Sequence, residues 1–194
     1  MSLVVAILAG GAGRRIGGDK PRRLLGRARL LDHALTRARA ASAPLLLVAR
    51  TPDQVEGFAG GTVVLDSPGI EGPLAGLHSA LTWAGDRGAD QVLTLPCDMP
   101  FVPLDLRHRL QQALTPDLGV AVAASGGRLH PVCALWRTAL VSTLARRAGN
   151  GQFSLHGLSQ DVGRAVVDWS VEGGDPFVNI NTAEDLASAQ AALA

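Results

Sequence analysis

The fold of this chain is decided by a stretch near its start, Val4-Val5-Ala6-Ile7-Leu8-Ala9-Gly10-Gly11-Ala12-Gly13, which leads into Arg14, Arg15, Gly17, Gly18, Asp19 and Lys20. A short apolar, β-branched run that is bounded by glycines predicts a buried strand. The glycines allow close backbone approaches that a Cβ would prevent. Successive backbone N–H groups in such a turn form a concavity for anions, and the basic side chains beside it can neutralise phosphate charge. We therefore predict a strand that ends in a phosphate-binding loop.

Two widely used glycine-rich motifs do not fit this loop. A dinucleotide fingerprint G-x-G-x-x-G that starts at Gly11 requires glycine at position 16, where the chain has Ile16, so a nicotinamide-dependent oxidoreductase is disfavoured. A P-loop requires Gly-Lys followed by Ser or Thr, whereas Lys20 is followed by proline. The remaining pattern, Gly-Gly-x-Gly-x-Arg-x-Gly-x-x-Lys from Gly10 to Lys20, resembles the signature loop of nucleotidyltransferases that use a nucleoside triphosphate. The alternative is a glycine-rich turn with solvated arginines.

Length, composition and charge place the chain among single-domain globular proteins. Its 194 residues suit one domain, over residues 1–194, and a hydrophobic fraction of 47% argues against disorder. Because the net charge is only +1, no global field recruits nucleic acid or an anionic membrane. The basic residues are nevertheless concentrated between positions 14 and 29, where Asp19 is the only acidic residue. Such a run is commonly a solvated face, but its position beside the glycine-rich loop favours a polyphosphate site.

The cysteines and the apolar runs predict the cellular localisation of the protein. Cys97 and Cys133 are far apart and lack a Cys-x-x-Cys spacing, so neither a disulfide framework nor a zinc site is indicated. Reduced thiols in a cytosolic protein are the simplest interpretation. The start of the sequence lacks a signal-peptide pattern, and no apolar run approaches the roughly 18 residues that span a bilayer. We therefore expect a cytoplasmic protein without a membrane or nucleic-acid partner.

The apolar periodicity predicts strands that alternate with helices. Nearly continuous apolar runs predict strands at residues 4–8, 45–49, 62–65, 91–95, 120–124 and 165–169, with 128–136 extended. Spacings of three and four predict helices at residues 29–41, 74–84, 103–114, 139–148 and 182–193, the last with a capping box from Thr182 to Asp185. Residues 51–61 are predicted as a loop, with a short helix within it as the alternative. This alternation predicts an α/β fold with a mainly parallel sheet that is covered by helices on both faces.

The predicted sheet also predicts where a ligand binds. Ligands of such sheets lie beyond the carboxyl ends of the strands, near the point where the strand order reverses, so we expect the loops 10–20, 66–76 and 96–100 to converge. Asp98 follows an apolar strand, where a rigid backbone would hold its carboxylate beside a triphosphate as a ligand for Mg²⁺. The metal would screen charge on the α-phosphate and on the leaving pyrophosphate. The alternative is an ordinary turn aspartate between prolines.

Other candidate residues give weaker signals. Asp66 ends the preceding predicted strand. It is predicted either to make a second polar contact with the ligand or to cap a helix. The segment 72–76 would let the backbone lie flat against a planar base, next to a helix N-terminus that favours anions. His130 precedes a proline in an extended stretch, and a lone histidine is more often structural than catalytic. If the backbone is extended, Asn179 and Asn181 point to one face, although Asn181 is almost equally well interpreted as a helix cap.

Several segments together resemble one family along nearly the whole chain. They are Leu8-Ala9-Gly10-Gly11 with Arg15, Gly17 and Lys20; Gly72-Pro73-Leu74-Ala75-Gly76; Leu95-Pro96-Cys97-Asp98-Met99-Pro100; His130-Pro131-Val132; and Phe177-Val178-Asn179-Ile180-Asn181-Thr182-Ala183-Glu184-Asp185-Leu186. Taken in this order, they resemble the molybdenum cofactor guanylyltransferases, which make the guanine dinucleotide form of the pterin cofactor. The opening loop is shared by many nucleotidyltransferases, and the later segments narrow the resemblance to this family.

The resemblance implies a three-layer, Rossmann-like nucleotidyltransferase fold and a reaction of GTP with molybdopterin. The terminal phosphate of the pterin would attack the α-phosphorus of GTP, and pyrophosphate would leave. The N-terminal half would bind the nucleotide, and the C-terminal half would bind the acceptor. Proteins that deliver or receive the cofactor are further expected partners.

The resemblance also assigns expected roles to matching positions. The residues expected to bind the nucleotide are Leu8, Ala9, Gly10, Gly11, Gly13, Lys20, Asp66, Gly72, Gly76 and Asp98. The expected catalytic residues are Arg15, Lys20 and Asp98, with Mg²⁺ on Asp98. The expected acceptor contacts are His130, Asn179 and Asn181.

The chain departs from the family pattern at two places. The segment Gly17-Gly18-Asp19-Lys20 is contiguous, where the family often has one more residue before Asp-Lys, and Lys20-Pro21 also resembles related sugar-nucleotide enzymes. After the second strand the chain has Val48-Ala49-Arg50, where some members have an asparagine that contacts the nucleotide. The identity of the nucleotide substrate, GTP or CTP, therefore stays open. A sugar phosphate as the acceptor, and a catalytically silent nucleotide-binding protein, also stay open.

Overall fold

We describe residues 1–10, 18–58 and 60–193 of the protein from a computed structural model. The strands are β1 (Leu3–Leu8), β2 (Leu24–Leu25), β3 (Ala28–Arg29), β4 (Leu45–Ala49), β5 (Thr62–Leu65), β6 (Gln91–Pro96), β7 (Val120–Ser125), β8 (Arg128–Arg137) and β9 (Arg164–Trp169). The helices are α1 (Leu30–Arg39), α2 (Pro73–Gly85), α3 (Leu106–Ala113), α4 (Val141–Gly149), α5 (Leu155–Asp161) and α6 (Ala183–Ala191). Short 3₁₀ turns lie at Lys20–Arg22, Pro52–Val55 and Thr138–Leu140. Among the described residues, no helix has the length and apolar character needed to cross a membrane.

A central sheet of seven strands, counted over the described residues, organises the fold in the order β5-β4-β1-β6-β8-β7-β9. All of its strands run parallel except β8, which is antiparallel to both neighbours. The chain moves outward from β1 through β4 to β5, and then returns to pair β6 with the other side of β1. The strand order therefore reverses between β1 and β6, and this is where a parallel α/β sheet binds its ligands.

Helices cover both faces of the sheet, as the alternation of elements predicts. Because successive side chains of a strand point to opposite faces, Val5 and Ile7 of β1 join one core cluster and Val4 and Ala6 join the other. Helices α1 and α3 pack in the first cluster, and α2, α4 and α5 pack in the second. The predicted three-layer α/β architecture is confirmed.

The hairpin of β7 and β8 contains a bulge close to the site. Its two-residue turn has a positive φ at both Gly126 (52°) and Gly127 (76°), which suits the primed turns that join antiparallel strands. The pairing then jumps from Ala123 opposite His130 to Val122 opposite Ala134, so residues 131–133 bulge out of the ladder. Proline cannot donate to a ladder and is tolerated at bulges, which agrees with its presence at position 131.

The structure corrects several predicted bounds. The helix predicted at 103–114 begins only at Leu106, because residues 103–105 form a turn in which the Leu106 N–H donates to the Pro103 carbonyl at 3.2 Å. The helix predicted at 139–148 begins at Val141, after a 3₁₀ turn. Neither α5 nor the β2–β3 hairpin is among the predicted elements, since seven residues of helix and two-residue strands are too short to show a period.

Candidate active site

The loops that follow β1, β5 and β6 meet at the reversal of the strand order. A Cβ placed on Gly10 would lie 2.4 Å from Asp66 Oδ2, and one placed on Gly76 would lie 3.2 Å from Asp66 Oδ1. On the other side of β1, the Cys97 N–H donates to the Leu8 carbonyl at 3.2 Å. The predicted convergence of the three loops is therefore confirmed for their described residues. Gly10 has to be glycine here because the Asp66 carboxylate occupies the space of a side chain.

Lys20 is buried and lies at the centre of a cluster of polar side chains. Its Nζ donates to Asp98 Oδ2, to Asn181 Oδ1 at 2.7 Å and to Asn179 Oδ1 at 3.4 Å, and only 6% of the residue is exposed. Just before it, Gly18 (φ 78°) has a positive φ, which turns the backbone before the 3₁₀ turn Lys20–Arg22. Four residues predicted for catalysis or binding thus meet at one ammonium group.

The segment that carries the asparagines is tied directly to the loop of Asp98. The Ile180 N–H donates to the Asp98 main-chain carbonyl at 2.9 Å, and Ile180 itself is fully buried. Asn179 and Asn181 lie on either side of this anchor and both contact Lys20, which agrees with the prediction that they share a face. The helix cap belongs to Thr182, whose Oγ1 accepts from the Asp185 N–H at 3.0 Å.

The free oxygen of Asp98 gives the site its metal-binding potential. Oδ2 receives the Lys20 ammonium, whereas Oδ1 is buried and finds no hydrogen-bond partner among the residues that the structure describes. A buried carboxylate oxygen without a partner is unfavourable unless a cation or a donor reaches it. Over the described residues, no cluster of three histidine, cysteine or acidic side chains is present, so Asp98 would act as a single protein carboxylate. Mg²⁺ commonly binds in this way, with one or two carboxylates, phosphate oxygens and water.

Two cavities adjoin Asp66. The larger one has a volume of about 450 Å³ and is lined by Arg50, Asp66, Ser67, Pro68, Gly69, Ile70, Glu71, Gly72 and Ala75. The smaller one, of about 200 Å³, is lined by Leu8, Gly10, Lys20, Arg50, Asp66, Gly72, Pro73, Pro96, Cys97, Asp98, Val132 and Asn179. Both cavities are lined by Arg50, Asp66 and Gly72. They therefore adjoin each other and extend from the Lys20 cluster to the end of β5.

The electrostatics of Asp66 and Cys97 follow from burial. Burial raises the pKa of the Asp66 carboxyl, and the nearby Arg50 guanidinium opposes this rise. Burial, together with the negative charge of Asp98, also raises the pKa of the Cys97 thiol, which is therefore protonated at neutral pH. A protonated, buried thiol is a poor nucleophile. Cys97 thus packs against the site without supplying nucleophilic chemistry.

His130 lies behind the Lys20 cluster, in the interior. Only 4% of it is exposed, its Nε2 lies 2.8 Å from Ser125 Oγ, and its ring stacks on Phe177 with centroids 4.7 Å apart. Burial lowers the pKa of His130, and the Asp175 carboxylate opposes this effect. His130 is not among the described residues that line the two cavities. Because its ring stacks on Phe177, it lies next to the segment that carries Asn179 and Asn181.

The remaining predicted residues divide into placed and undescribed positions. Ala9 is fully buried and its N–H donates to the Val48 carbonyl at 2.7 Å, so it holds the end of β1. The predictions for Gly11, Gly13 and Arg15 fall outside the described residues. The structure adds three residues that no motif contains: Arg50, Ser125 and Asp175. The position of Arg50 at the end of a strand could have identified it from the sequence. No motif or spacing in the sequence identifies Ser125 or Asp175.

Comparisons with known proteins agree with this geometry. A family model described as the MobA-like NTP transferase domain matches residues 5–165. The molybdenum cofactor guanylyltransferase of Bradyrhizobium sp. (strain ORS 278) is 40% identical over 199 aligned residues, which cover 95% of this chain and 90% of that protein. The protein of the same name from Acidiphilium cryptum (strain JF-5) is 41% identical over 194 residues, which cover 97% of this chain and 94% of that protein.

A solved structure supports the same assignment. The molybdopterin-guanine dinucleotide biosynthesis protein A of Archaeoglobus fulgidus has a TM-score of 0.76 and 25% identity to this chain, over 97% of both chains. The chain therefore belongs to the MobA-like NTP transferase family, as a member of the molybdenum cofactor guanylyltransferases that its sequence resembles.

Proposed function

We propose that this chain transfers the GMP unit of GTP to the terminal phosphate of molybdopterin. An oxygen of the pterin phosphate forms a bond to the α-phosphorus, the bond between the α-phosphorus and the bridging oxygen breaks, and pyrophosphate leaves. The observation that carries the proposal is the cluster of Asp98, Asn179 and Asn181 around the buried Lys20 side chain, at the reversal of the strand order. It joins the N-terminal half, which would hold the nucleotide, to the C-terminal half, which would hold the acceptor.

The reaction needs no nucleophile from the protein, because the pterin phosphate is already an anion. What it needs is alignment of two polyanions and stabilisation of the charge that develops on the leaving pyrophosphate. Lys20 is suited to this role, since its ammonium is buried and held by three oxygen atoms rather than free in water. A charge that is oriented before the reaction needs little reorganisation during it.

The residues present fit Mg²⁺. Asp98 Oδ1 is buried and lacks a partner, so it is available to a cation that also takes phosphate oxygens of the nucleotide. When bound, the metal would supply Lewis-acid charge neutralisation at the phosphates. Asp98 would hold it, while Lys20, which is bonded to the other oxygen of the same carboxylate, would keep that carboxylate oriented.

The larger cavity is our proposed site for the base. Guanine offers acceptors at O6 and N7 and two neighbouring donors at N1 and N2. Cytosine offers acceptors at O2 and N3 but a single exocyclic amino donor, so only guanine can donate two neighbouring hydrogen bonds to one carboxylate. Arg50 can donate to the guanine acceptors and the Asp66 carboxylate can accept from its donors, and both line this cavity. This complementarity favours GTP over CTP. The segment from Gly72 would lie along the base, at the start of α2.

We further propose that the protein acts in the cytoplasm, together with proteins that deliver or receive the pterin. Both cysteines are buried and free, and burial raises the pKa of each thiol, which agrees with a reducing compartment. The net charge of +1 gives no reason to expect nucleic acid as a partner.

The test is a direct assay of the purified protein. GTP or CTP is incubated with Mg²⁺ and molybdopterin, and the dinucleotide and pyrophosphate are measured. We expect product with GTP, little with CTP, and none when the pterin is replaced by a sugar 1-phosphate. Product with CTP alone would overturn the guanine assignment. Nucleotide binding without turnover of any acceptor would support the alternative of a catalytically silent nucleotide-binding protein.

A further inference from the structure

A buried set of polar side chains lies directly behind the asparagines that hold Lys20. Ser125, at the end of β7, donates to Asp175 Oδ1 at 2.7 Å, and the Phe177 N–H donates to the same oxygen at 2.9 Å. His130, on β8, lies 2.8 Å from Ser125 Oγ through its Nε2. Ser125 and His130 are 1% and 4% exposed, so these bonds form in the interior. We call Ser125, His130 and Asp175 the rear cluster.

The donors and acceptors of the rear cluster fix the direction of each bond. An ionised carboxylate can only accept, so the single Ser125 hydroxyl proton goes to Asp175. The Ser125 oxygen must then accept from His130, which requires the tautomer that carries its proton on Nε2. Burial on its own raises the pKa of the Asp175 carboxyl, but the bonds from the Phe177 N–H and from Ser125 outweigh it and hold the pKa below its ordinary value. Asp175 is therefore an ionised acceptor at neutral pH.

An aromatic contact joins the rear cluster to the same segment. The His130 ring stacks on Phe177 at an interplanar angle of 14°, and Trp169 meets the Phe177 ring edge-on with centroids 5.4 Å apart. Phe177 is only 2% exposed. It is held by its main-chain bond to Asp175 and by two rings, so its position is determined by the rear cluster on one side and the core on the other.

The far end of the segment is held by separate bonds. The Ile180 N–H donates to the Asp98 carbonyl at 2.9 Å, and the Asn181 N–H donates to Asp185 Oδ2 at 2.8 Å. Residues 175–181 are therefore anchored at the start by the rear cluster and at the end by Asp98 and Asp185. Asn179 lies between the two anchors, two residues from Phe177, with its side-chain oxygen 3.4 Å from Lys20 Nζ.

We propose that Ser125, His130 and Asp175 are positioning residues that hold the segment 175–181 so that Asn179 and Asn181 orient the ammonium group of Lys20. The catalytic consequence rests on the proposed function, in which Lys20 acts on the phosphates. The rear cluster contributes no residue to the lining of the two cavities beside Asp66. It acts through the backbone of Phe177, and it accounts for the presence of a buried serine and histidine where an apolar core would otherwise suffice.

Asp175 offers the sharpest variant because it lies on a half-buried loop, where loss of its side chain leaves the sheet intact. Asp175→Ala removes the acceptor shared by Ser125 and Phe177. Asp175→Asn keeps an oxygen that can accept both bonds. Glu172→Ala is the matched control, an exposed carboxylate of the same loop three positions away.

The first readout is hydrogen exchange of the full-length protein, followed on peptides that contain residues 176–181. A hydrogen bond to a charged group is worth enough to change a local opening equilibrium about tenfold. We expect Asp175→Ala to speed exchange at Phe177 and Ile180 by about that factor, with Asp175→Asn and Glu172→Ala close to the wild type. This readout does not depend on turnover.

The second readout is steady-state kinetics with GTP, Mg²⁺ and molybdopterin. We expect kcat to fall about tenfold in Asp175→Ala with little change in the KM for GTP, and to return in Asp175→Asn. Unchanged exchange and unchanged kcat in Asp175→Ala would overturn the proposal, as would an equal loss in Glu172→Ala. If the wild-type protein turns over neither GTP nor CTP, the proposed function fails, and the exchange rates alone then support or overturn the positioning role.

Discussion

The ammonium group of Lys20 and the carboxylate of Asp98 form a buried ion pair between side chains that lie 78 residues apart in the sequence. Lys20 belongs to the glycine-rich loop after β1, and Asp98 to the turn after β6, so the pair closes the gap between the two strands at which the sheet order reverses. One oxygen of Asp98 is used by this pair, and over the described residues the other has no hydrogen-bond partner. The pair therefore leaves one oxygen of the carboxylate available to a second donor or to a cation.

Replacement of Lys20 by methionine tests whether the pair serves catalysis as well as stability. We expect turnover to fall by about 10² or more, since a preoriented charge at the phosphates is lost. We also expect the free energy of unfolding to fall by about 3 kcal/mol, because removal of one partner leaves the other charge buried and unpaired. Chemical denaturation and steady-state kinetics measure the two effects.

A double variant separates these two effects. Lys20→Met with Asp98→Asn removes both charges, so stability recovers while turnover stays low. A double variant as unstable as the single one would show that the ion pair is not the reason for the loss. Near wild-type turnover in Lys20→Met would show that Lys20 does not act on the phosphates.

Replacement of Asp98 by asparagine tests the proposed Mg²⁺ ligand. The wild-type affinity for GTP is expected to rise with added Mg²⁺, because Asp98 would hold the ion and the ion would neutralise charge on the phosphates. In Asp98→Asn this dependence should be lost in calorimetric titrations of GTP at several Mg²⁺ concentrations. Asp86→Asn, an exposed carboxylate at the end of α2, is the matched control. A dependence on Mg²⁺ that survives in Asp98→Asn would assign the metal to other ligands.

The pattern of apolar runs predicts the fold well, because β1 is apolar throughout and buried up to Ile7. β6 is buried along its whole length, with Gln91 and Thr94 as its polar side chains. The convergence of the loops after these two strands follows from the strand order alone, and it brings Lys20 to Asp98 as expected. The apolar pattern does not predict the direction of β8. An extended apolar stretch gives the same pattern whether it runs parallel or antiparallel, so the reversal is visible only in the short turn at Gly126.

The rear cluster shows where prediction from the sequence ends. Ser125 and Asp175 are 50 residues apart and neither belongs to a motif, so only the packing of β7 against the final segment joins them. His130 is conspicuous in the sequence, but its burial depends on the bulge at residues 131–133, which no periodicity predicts. Long-range pairs between single polar residues are set by the tertiary structure, and local patterns carry no information about them.

Replacement of Gly10 by alanine tests the close contact beneath the nucleotide. The new Cβ would lie 2.4 Å from Asp66 Oδ2, so the carboxylate or the loop must move. Overpacking of this kind typically costs about 1–3 kcal/mol of stability. We expect GTP affinity to fall more than stability does, because the displaced groups line the cavity. Gly149→Ala at the end of α4, where a Cβ meets nothing within 4 Å, should leave GTP affinity unchanged and should not lower stability, because alanine favours the helix.

Replacement of Asp66 by asparagine tests the cost of burying its charge. Burial raises the pKa of Asp66 in the folded protein, so the folded state binds a proton more tightly than the unfolded state does. Its charge therefore lowers stability at neutral pH, and this penalty disappears as the pH falls through the raised value toward that of the unfolded chain. We expect Asp66→Asn to be more stable than the wild type at pH 7 and equal to it near pH 3, while it binds GTP more weakly. Equal stability at both values of pH would contradict the buried charge.

The choice of base is the most specific prediction that the site allows. Arg50 follows directly after β4 and lines the cavity beside Asp66. A bidentate contact of arginine with guanine contributes about 1–3 kcal/mol of discrimination, so Arg50→Ala should lower kcat/KM for GTP by about tenfold or more and leave the low value for CTP unchanged. Arg50→Lys keeps the charge but loses the planar fork, and it should recover only part of the preference. Equal losses for both nucleotides in Arg50→Ala would mean that Arg50 contacts the phosphates or ribose that GTP and CTP share, and the guanine contact would then have to be sought among the other residues of the cavity wall.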